Sequence, residues 1–385
     1  MLLPHKHSAE GTTIFTIMSA LAQQHNAINL SQGFPDFPIG TELASLLGEA
    51  AAQGYNQYAP MAGLPQLRQQ IATDFQKRYG VTINPDTEIT ITPGATYAIY
   101  TAFTSILEAG DEVIVLEPAY DSYIPNIETN GARAITISLK APAFSVDWDE
   151  VQKAISLRTK AIIINTPHNP TGAVWTKEDW DKLADLVRDT NIIILSDEVY
   201  EQLIYDGLQH YSVLQHPELR HRSFALYSFG KVFHNTGWKI GYCIAPPEFT
   251  TAFRRIHQFL CFSVNTPAQY ALATYLSQPG LPVVSKMMQQ KRDHFIDMLS
   301  ATQFTIHQPA SGSYFQTVSY EQISDMPDME FAQWLTREHG VATIPISAFY
   351  RNKKDDKLIR FCFAKKEETI KLAMDRLSAI TVTAK

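Results

Sequence analysis

Lys231 is the residue of this 385-residue chain whose type and position most clearly suggest chemistry. It follows the apolar run Phe224–Tyr227, which reads as a buried strand, and the small residues Ser228 and Gly230 precede it. Burial at a strand end, with a cation such as Lys239 nearby, would lower the pKa of its amine from about 10.4 and make it a nucleophile that forms Schiff bases. Taken alone, the segment is more simply interpreted as carrying an ordinary surface lysine.

Two further apolar runs end in polar residues. Asp197 follows Asn191–Leu195, and a carboxylate buried there would need a partner such as a cationic ring nitrogen. A solvated acid at a strand end explains this piece alone more simply. Ala161–Ile164 leads into residues 165–172, whose prolines and glycine make a rigid turn suited to holding a ligand oxygen. His168 in that turn is expected to be structural or on the surface.

A glycine turn follows a third run, Glu88–Thr92. Gly94, Ala95 and Thr96 stand before a helical pattern that starts at Tyr97. Small residues at a helix N-terminus let backbone N–H groups approach an anion, so this turn could bind phosphate. A plain strand–helix turn capped by Thr96 explains the segment equally well.

These strand ends meet in space only if the strands are parallel, because ligands bind outside the carboxyl ends of a parallel α/β sheet. Helical patterns do separate the apolar runs, as in Glu178–Arg188, where Thr176 and Asp179 predict a capping box. The sequence thus predicts an α/β fold whose large domain has a doubly wound, mostly parallel sheet. Its expected strands are Glu88–Thr92, Glu112–Leu116, Ala161–Ile164, Asn191–Leu195, Phe224–Tyr227 and, as a further candidate, Lys239–Ala245.

The ends of the chain follow another pattern. Helices are predicted over Leu281–Leu299 and Glu330–His339, with strand-like pieces at Tyr314–Val318 and Ile359–Phe363, which indicates a smaller α+β domain. Proline and glycine concentrate in the first forty residues, which are expected to form an arm or loop packed against another surface. The predicted division is 1–44 for the arm and part of the small domain, 45–280 for the large domain and 281–385 for the small domain.

Composition excludes several classes of protein. The net charge of −7 argues against a dedicated nucleic-acid binder, which needs a surplus of Lys and Arg. The three cysteines, Cys243, Cys261 and Cys362, form no CxxC pair, so we expect buried thiols and neither a disulfide framework nor a metal site. The N-terminus lacks the apolar core of a signal peptide, and no apolar run is long enough to span a bilayer. We therefore expect a cytoplasmic protein without a membrane partner.

Four motifs occur in one order along the chain: Asn169-Pro170-Thr171-Gly172, Asp197-Glu198-Val199-Tyr200, Ser228-Phe229-Gly230-Lys231 and Thr236-Gly237-Trp238-Lys239-Ile240-Gly241. Together they resemble the signature of the class I aminotransferases, which are fold-type-I pyridoxal-phosphate enzymes. The likeness extends from Thr12 to Lys365. The run of residues 31–38 and Lys239, in place of the commoner arginine, resemble the kynurenine/glutamine transaminase branch.

The resemblance implies pyridoxal 5'-phosphate as cofactor and gives roles to the strand-end residues. Lys231 would form the internal aldimine and then carry the proton between the substrate Cα and the cofactor. Asp197 would pair with the pyridinium nitrogen and keep the ring an electron sink. Asn169 and Tyr200 would hydrogen-bond the phenolic oxygen, and Tyr120 would stack on the ring face.

The phosphate site implied by the resemblance includes a second subunit. The residues expected to hold the phosphate are Gly94, Ala95, Thr96, Ser228 and Lys239, with Tyr58 reaching across from a partner. A homodimer with shared active sites would follow. The sequence departs from the family pattern in two places at this site. His234-Asn235 replaces the small pair that usually follows the lysine, and Lys239 offers a point charge where most of the family has the two-pronged group of arginine.

The resemblance also implies a substrate site for amino acids and 2-oxo acids. Arg360 would bind the substrate carboxylate with two prongs, assisted by the backbone of Gly33, and Asn169 would also contact the substrate. Phe15 and Phe34 would roof the pocket, with Tyr58 beside them and Phe349 as a weaker candidate. Such an apolar, aromatic pocket favours methionine and also phenylalanine, tyrosine, leucine and glutamine, and disfavours aspartate. The aromatic residues could equally be core residues.

Two alternatives share these motifs. A β-lyase acting on cysteine S-conjugates or cystathionine would use the same cofactor and the same lysine. A cofactor-bound regulatory protein would retain the fold without turnover, but such proteins usually carry a DNA-binding extension, which we do not expect before Gly11, and the acidity of the chain argues against one.

Overall fold

The computed structural model describes residues 5–8, 11–281 and 283–380. The strands are β1 Ile28–Asn29, β2 Ile89–Thr92, β3 Glu112–Glu117, β4 Arg133–Ser138, β5 Thr159–Asn165, β6 Ile193–Asp197, β7 Ser223–Ser228, β8 Gly241–Ile244, β9 Phe315–Ser319, β10 Val341–Ala342, β11 Ile344–Pro345 and β12 Leu358–Cys362. The α-helices are α1 Ile14–Gln24, α2 Thr41–Ala52, α3 Pro65–Tyr79, α4 Ala95–Ile106, α5 Tyr123–Thr129, α6 Trp148–Ala154, α7 Lys177–Val187, α8 Phe229–Val232, α9 Pro247–Leu260, α10 Thr266–Leu276, α11 Val284–Leu299, α12 Asp328–Glu338 and α13 Glu367–Ser378. Short 3-10 helices lie at Val213–Gln215, Leu219–Arg222, Thr236–Trp238 and Ile346–Phe349.

Seven strands form the central sheet in the spatial order β2-β8-β7-β6-β5-β3-β4. Strand β8 runs antiparallel to both of its neighbours, and the other neighbouring pairs are parallel. The predicted α/β fold with a mostly parallel sheet is therefore confirmed. All six predicted strands of this sheet are present, with ends within two residues of the expected ones. Strand β4 is absent from the predicted set, because an edge strand has polar residues on its outer face and does not form a continuous apolar run.

Local signals predict the helices best where the caps are strong. Helix α7 begins with the predicted capping box: the Thr176 side chain accepts from the backbone of Asp179, and the Asp179 side chain accepts from the backbone of Thr176. Helices α11 and α12 confirm the two long helical patterns of the C-terminal third. No helix among the described residues is both long and apolar enough to cross a membrane.

The first forty residues are more regular than expected. Part of the predicted arm or loop is the helix α1, which begins after its N-cap Thr13 and buries Met18 and Ala22, four residues apart on one face. Strand β1 then pairs in parallel with β10, so the arm is joined to the C-terminal part of the chain. Leu30, which follows β1, lies in the same apolar cluster as Phe361 and Ile370. The domain boundaries stay predictions.

Three buried strands end side by side at the edge where the expected site lies. In the parallel register, Asn165 at the end of β5 is opposite Asp197 at the end of β6. Strand β7 lies next to β6 and ends at Ser228, directly before the helix that carries Lys231. The antiparallel sheet β11-β12-β9 brings Arg360 to the same region from the C-terminal part of the chain.

The three cysteines are free. Cys243 and Cys362 are buried, as expected, whereas Cys261 is only half-buried, so the expectation of buried thiols is wrong for that residue. Its position explains the difference, since Cys261 ends the amphipathic helix α9. His168 is buried and structural: its Nδ1 lies 2.7 Å from Thr171 Oγ1, and burial lowers its pKa to about 4.

Candidate active site

A cavity of about 340 Å³ opens at the carboxyl ends of β5, β6 and β7. The structure brings nearly all the predicted site residues to its wall. They are Phe15, Gly33, Phe34, Gly94, Ala95, Thr96, Tyr120, Asn169, Asp197, Tyr200, Ser228, Lys231, Lys239 and Arg360. Tyr58 and the weaker candidate Phe349 are not part of this wall.

Lys231 lies in the one-turn helix α8, immediately after β7. Its Nζ donates to the backbone oxygen of Gly33 at 3.2 Å and stands 5.5 Å from the ring centre of Tyr200. Desolvation, assisted by the positive charges of Lys239 and Arg360, lowers the pKa of this amine to about 8. The amine therefore has a larger neutral, nucleophilic fraction near neutral pH than an ordinary lysine, as the sequence predicted for this position.

Asp197 ends β6 and is 4% exposed. Its Oδ2 accepts a hydrogen bond of 2.6 Å from the Tyr123 hydroxyl, and its Oδ1 accepts one of 3.3 Å from the backbone N–H of Val199. Burial raises the pKa of the carboxyl group to about 6, although the Tyr123 hydrogen bond lowers it. A buried carboxylate with this environment is prepared for a cationic partner.

Asn165 connects the two neighbouring strand ends. Its Nδ2 donates to the backbone oxygen of Asp197 at 2.9 Å, and its Oδ1 accepts from the backbone N–H of Asn169 at 2.8 Å. Asn169 in turn accepts from Arg360 Nη1 through its own Oδ1 at 2.7 Å. The predicted rigid turn is thus tied both to the sheet and to the arginine from the C-terminal part of the chain.

Arg360 is fully buried in β12. Besides its bond to Asn169, it donates through Nη2 to the backbone oxygen of Ser31 at 2.6 Å, while Nε has no hydrogen-bond partner among the described residues. Its guanidinium carbon is 3.9 Å from the ring centre of Phe315. Burial lowers the pKa of the guanidinium to about 10, so the group stays charged at neutral pH. A buried cation with an N–H left over in this way is a receptor for an anion such as a carboxylate.

Another part of the cavity wall has the form of an anion site. Gly94 has φ of +85°, and a side chain there would place Cβ 3.0 Å from Lys239 Nζ, so the position requires glycine. Gly94 precedes the twelve-residue helix α4, whose first turn contributes Ala95 and Thr96 to the cavity wall. Backbone N–H groups at a helix N-terminus beside a lysine ammonium favour a phosphate.

Aromatic side chains form a further part of the wall. Phe15 lies 5.3 Å from the Arg360 guanidinium and 6.5 Å from the Tyr120 ring, measured to ring centres. Phe34 is 46% exposed, and Lys365 Nζ donates to its backbone oxygen at 2.8 Å. Tyr58 is 80% exposed and packs edge-on against Phe262 at 5.0 Å within this chain.

A family profile described as "Aminotransferase class I and II" matches residues 25–377. The chain belongs to this family. It is 49% identical over 372 residues to methionine aminotransferase of Escherichia coli, and the match covers 95% of each chain. It is 34% identical to human kynurenine–oxoglutarate transaminase 1, with 92% of each chain covered. The solved structure of an Escherichia coli methionine aminotransferase superimposes with a TM-score of 0.95 at 47% identity, covering 98% of this chain and 99% of that one.

The aminotransferase is therefore a pyridoxal-phosphate enzyme, and its cavity fits that cofactor. The glycine-lined helix end accommodates a phosphate, the buried carboxylate of Asp197 suits a protonated ring nitrogen, and the amine of Lys231 belongs to the same cavity wall. Arg360 Nε remains for a second anionic group. Amino acids and 2-oxo acids are the substrates of this class of enzyme.

Several residues at the cavity were absent from the sequence prediction. Gln32, Asn165, Thr236 and Phe315 line the wall, and Tyr123 supports it through its hydrogen bond to Asp197. Asn165 is a polar residue at the end of a buried strand. The reasoning that selected Asp197, a polar residue after an apolar run, could therefore have selected Asn165 as well. Phe315 and Tyr123 carry no such signal, because a buried aromatic residue in a strand or helix is most often core.

Proposed function

We propose that this enzyme transfers the amino group of methionine and other apolar or aromatic amino acids, or of glutamine, to a 2-oxo acid. The observation that carries the proposal is the arrangement around Arg360. One buried guanidinium, whose Nε has no partner in the described part of the chain, provides for one carboxylate, and aromatic rings from Phe15 and Phe315 surround it. The 49% identity to methionine aminotransferase of Escherichia coli supports the same proposal.

The cations of the cavity suggest which substrates are poor. Among the described residues of the wall, the Lys and Arg side chains are Lys231, Lys239 and Arg360. Two of these have other roles in the proposal, since Lys231 acts on Cα and Lys239 lies beside the phosphate turn. An aspartate side chain would bring a second carboxylate into an aromatic environment without a cation to pair with it, which is unfavourable.

Pyridoxal phosphate supplies an aldehyde that reacts with amines and a ring that accepts the electrons released when a proton leaves the substrate Cα. We propose that the Lys231 amine binds the aldehyde and, once the substrate amine has replaced it, takes up the Cα proton on Nζ and delivers it again. The lowered pKa of this amine suits both steps, because a base should titrate near the working pH. Asp197 would stay ionised and pair with the ring nitrogen, and Asn169 and Tyr200 would hydrogen-bond the phenolic oxygen.

Binding of the substrate carboxylate would fix the reacting bond. Arg360 is held on two sides, by Asn169 and by the backbone of Ser31, so its position is set before the substrate arrives. We propose that the guanidinium receives the carboxylate, that the backbone of Gly33 assists, and that the amino acid Cα then faces Lys231. Phe15 and Phe34 would cover the side chain and exclude water, and Tyr120 would stack on the cofactor ring.

A comparison of donors tests the proposed specificity. The ratio kcat/KM is measured for methionine and for aspartate with a single 2-oxo acid as acceptor, by following the new amino acid. Methionine should exceed aspartate, and apolar donors should differ among themselves by no more than about a hundredfold, since one methylene group discriminates weakly. An aspartate value equal to that for methionine would refute the apolar pocket. Pyruvate and thiol release from cysteine S-conjugates, at rates above transamination, would favour a β-lyase.

The phosphate site is proposed to be shared between two subunits, with Tyr58 acting in the partner's site beside Gly94, Ala95, Thr96, Ser228 and Lys239. The 80% exposure of Tyr58 in one chain supports this arrangement. Mixing inactive Lys231→Ala and impaired Tyr58→Ala chains provides the test. If Tyr58 acts across the dimer, each hybrid has one intact site, and random mixing should restore about one quarter of wild-type activity. No recovery of activity in hybrids shown to form would contradict a shared site.

The cytoplasmic location stays a prediction, which cell fractionation would test.

A further inference from the structure

We propose that Tyr123 is a positioning residue for this reaction: its hydroxyl group holds the Asp197 carboxylate ionised and in one orientation, ready for the ring nitrogen of the cofactor. This inference rests on the proposed function, because it requires Asp197 to pair with that nitrogen. Tyr123 does not line the cavity and has no role in the chemistry proposed for the wall residues.

The position of Tyr123 makes its hydroxyl group a dedicated donor. The residue begins α5 and is 2% exposed, so water does not compete for the phenol. Its hydroxyl donates to Asp197 Oδ2 at 2.6 Å, a short bond of the kind formed to ionised acceptors. The pKa of the Tyr123 phenol is raised well above 10 by burial and by the neighbouring negative charge of Asp197. The phenol therefore keeps its proton and can only donate to the carboxylate.

The ring of Tyr123 also contacts the other face of the site. It packs edge-on against Tyr120, with ring centres 5.7 Å apart. Tyr120 lines the cavity as the proposed stacking residue. One side chain thus supports both the residue proposed to lie on the cofactor ring and the residue proposed to pair with its nitrogen.

The other groups near Asp197 do not replace this hydrogen bond. Its Oδ1 receives the longer backbone bond from Val199. Lys231 on α8 stabilises the charge and Glu198, the next residue, destabilises it. The phenols of Tyr120 and Tyr200 also face Asp197. Without the Tyr123 hydroxyl, the pKa of the buried Asp197 carboxyl group would rise further and favour the protonated acid, which is not an anionic partner for a protonated ring nitrogen.

The test compares Tyr123→Phe with Asp197→Asn and with the double variant. Apoenzymes are titrated with pyridoxal phosphate to obtain the dissociation constant, and the absorbance of the bound cofactor and kcat/KM are followed against pH. Tyr123→Phe should weaken cofactor binding about tenfold and move the acid limb of the pH profile upward by about one unit, the effect of losing a hydrogen bond to a charged group. In the Asp197→Asn background, the Tyr123 change should add little.

Two controls separate positioning from folding. Tyr320→Phe removes another buried phenol, which donates to the backbone of Met326 at 2.8 Å outside the site, and should leave the pH profile and the cofactor affinity unchanged. If Tyr123→Phe does not fold, a ring-fluorinated tyrosine at this position provides the second measurement. Its more acidic hydroxyl donates more strongly, so the acid limb should move downward.

Three results would overturn the inference. They are an unmoved acid limb and cofactor affinity in a folded Tyr123→Phe enzyme, an equal loss of affinity in the wild-type and Asp197→Asn backgrounds, and an unmoved limb in the fluorinated enzyme. A different result identifies failure of the underlying proposal: if Asp197→Asn itself has wild-type cofactor affinity and turnover, Asp197 does not pair with the ring nitrogen and the role of Tyr123 falls with it.

Discussion

Replacing Arg360 by lysine should separate substrate binding from cofactor binding. The guanidinium has five N–H groups, of which two are used by Asn169 and the backbone of Ser31, and Nε is without a partner among the described residues. Lysine keeps the charge but cannot make a two-pronged contact with a carboxylate. Losing one hydrogen bond between charged groups costs about 2 kcal/mol, which corresponds to a roughly thirtyfold weaker interaction. We expect KM for both the amino acid and the 2-oxo acid to rise by about this factor.

The assay measures steady-state kinetics for both substrates together with the cofactor dissociation constant. The cofactor constant should change little in Arg360→Lys, because Arg360 is placed at the substrate carboxylate. Arg292→Lys is the matched control, since Arg292 has a side chain only 4% exposed and is paired with Asp206 at 2.6 Å outside the cavity. It should lower stability without changing either KM. Unchanged KM values in Arg360→Lys, or a loss of cofactor affinity as large as the loss of substrate affinity, would refute the assignment.

Two pH-dependent results follow from the buried charges. Covalent capture of pyridoxal phosphate by the apoenzyme, trapped with borohydride, should accelerate as pH rises through about 8, where the Lys231 amine loses its proton; a midpoint near 10.5 would contradict the lowered pKa. The folded-state pKa of Asp197, about 6, lies above the unfolded value near 3.9, so ionisation destabilises the apoenzyme as pH rises between these values. Above pH 6, the Asp197→Asn apoenzyme should therefore be more stable than the wild-type apoenzyme by about 3 kcal/mol and unfold at a higher temperature, and this advantage should vanish below pH 4.

The strand ends were predictable because two independent signals agree there. An apolar run fixes each strand, and polar residues such as Asp197 and Lys231 follow several of these runs at the edge where a parallel sheet binds ligands. Arg360 is different: β12 was expected, but only the resemblance to the family indicated that its arginine enters a cavity formed by distant parts of the chain. Such contacts join residues more than 190 positions apart, as between Asn169 and Arg360, and no local pattern encodes them.

Supporting residues were harder to predict than the residues they support. In the sequence, Tyr123 has the context of an aromatic core residue, and in the structure it is buried. Only its 2.6 Å hydrogen bond to Asp197 indicates the positioning role that we propose. Helix α1 was missed for a related reason: the proline and glycine around it outweighed the helical spacing of its buried residues. In both cases the tertiary environment, rather than local propensity, decides the outcome.

The central claim is that Lys231 moves the proton at the substrate Cα. The direct measurement is the single-turnover conversion of methionine to its 2-oxo acid by cofactor-loaded enzyme, in wild type and Lys231→Ala, with and without an added small primary amine. We expect Lys231→Ala to fold and bind cofactor, to react several orders of magnitude more slowly, and to recover part of the rate with the amine. A near-normal rate in folded, cofactor-loaded Lys231→Ala without added amine would contradict this role for the lysine.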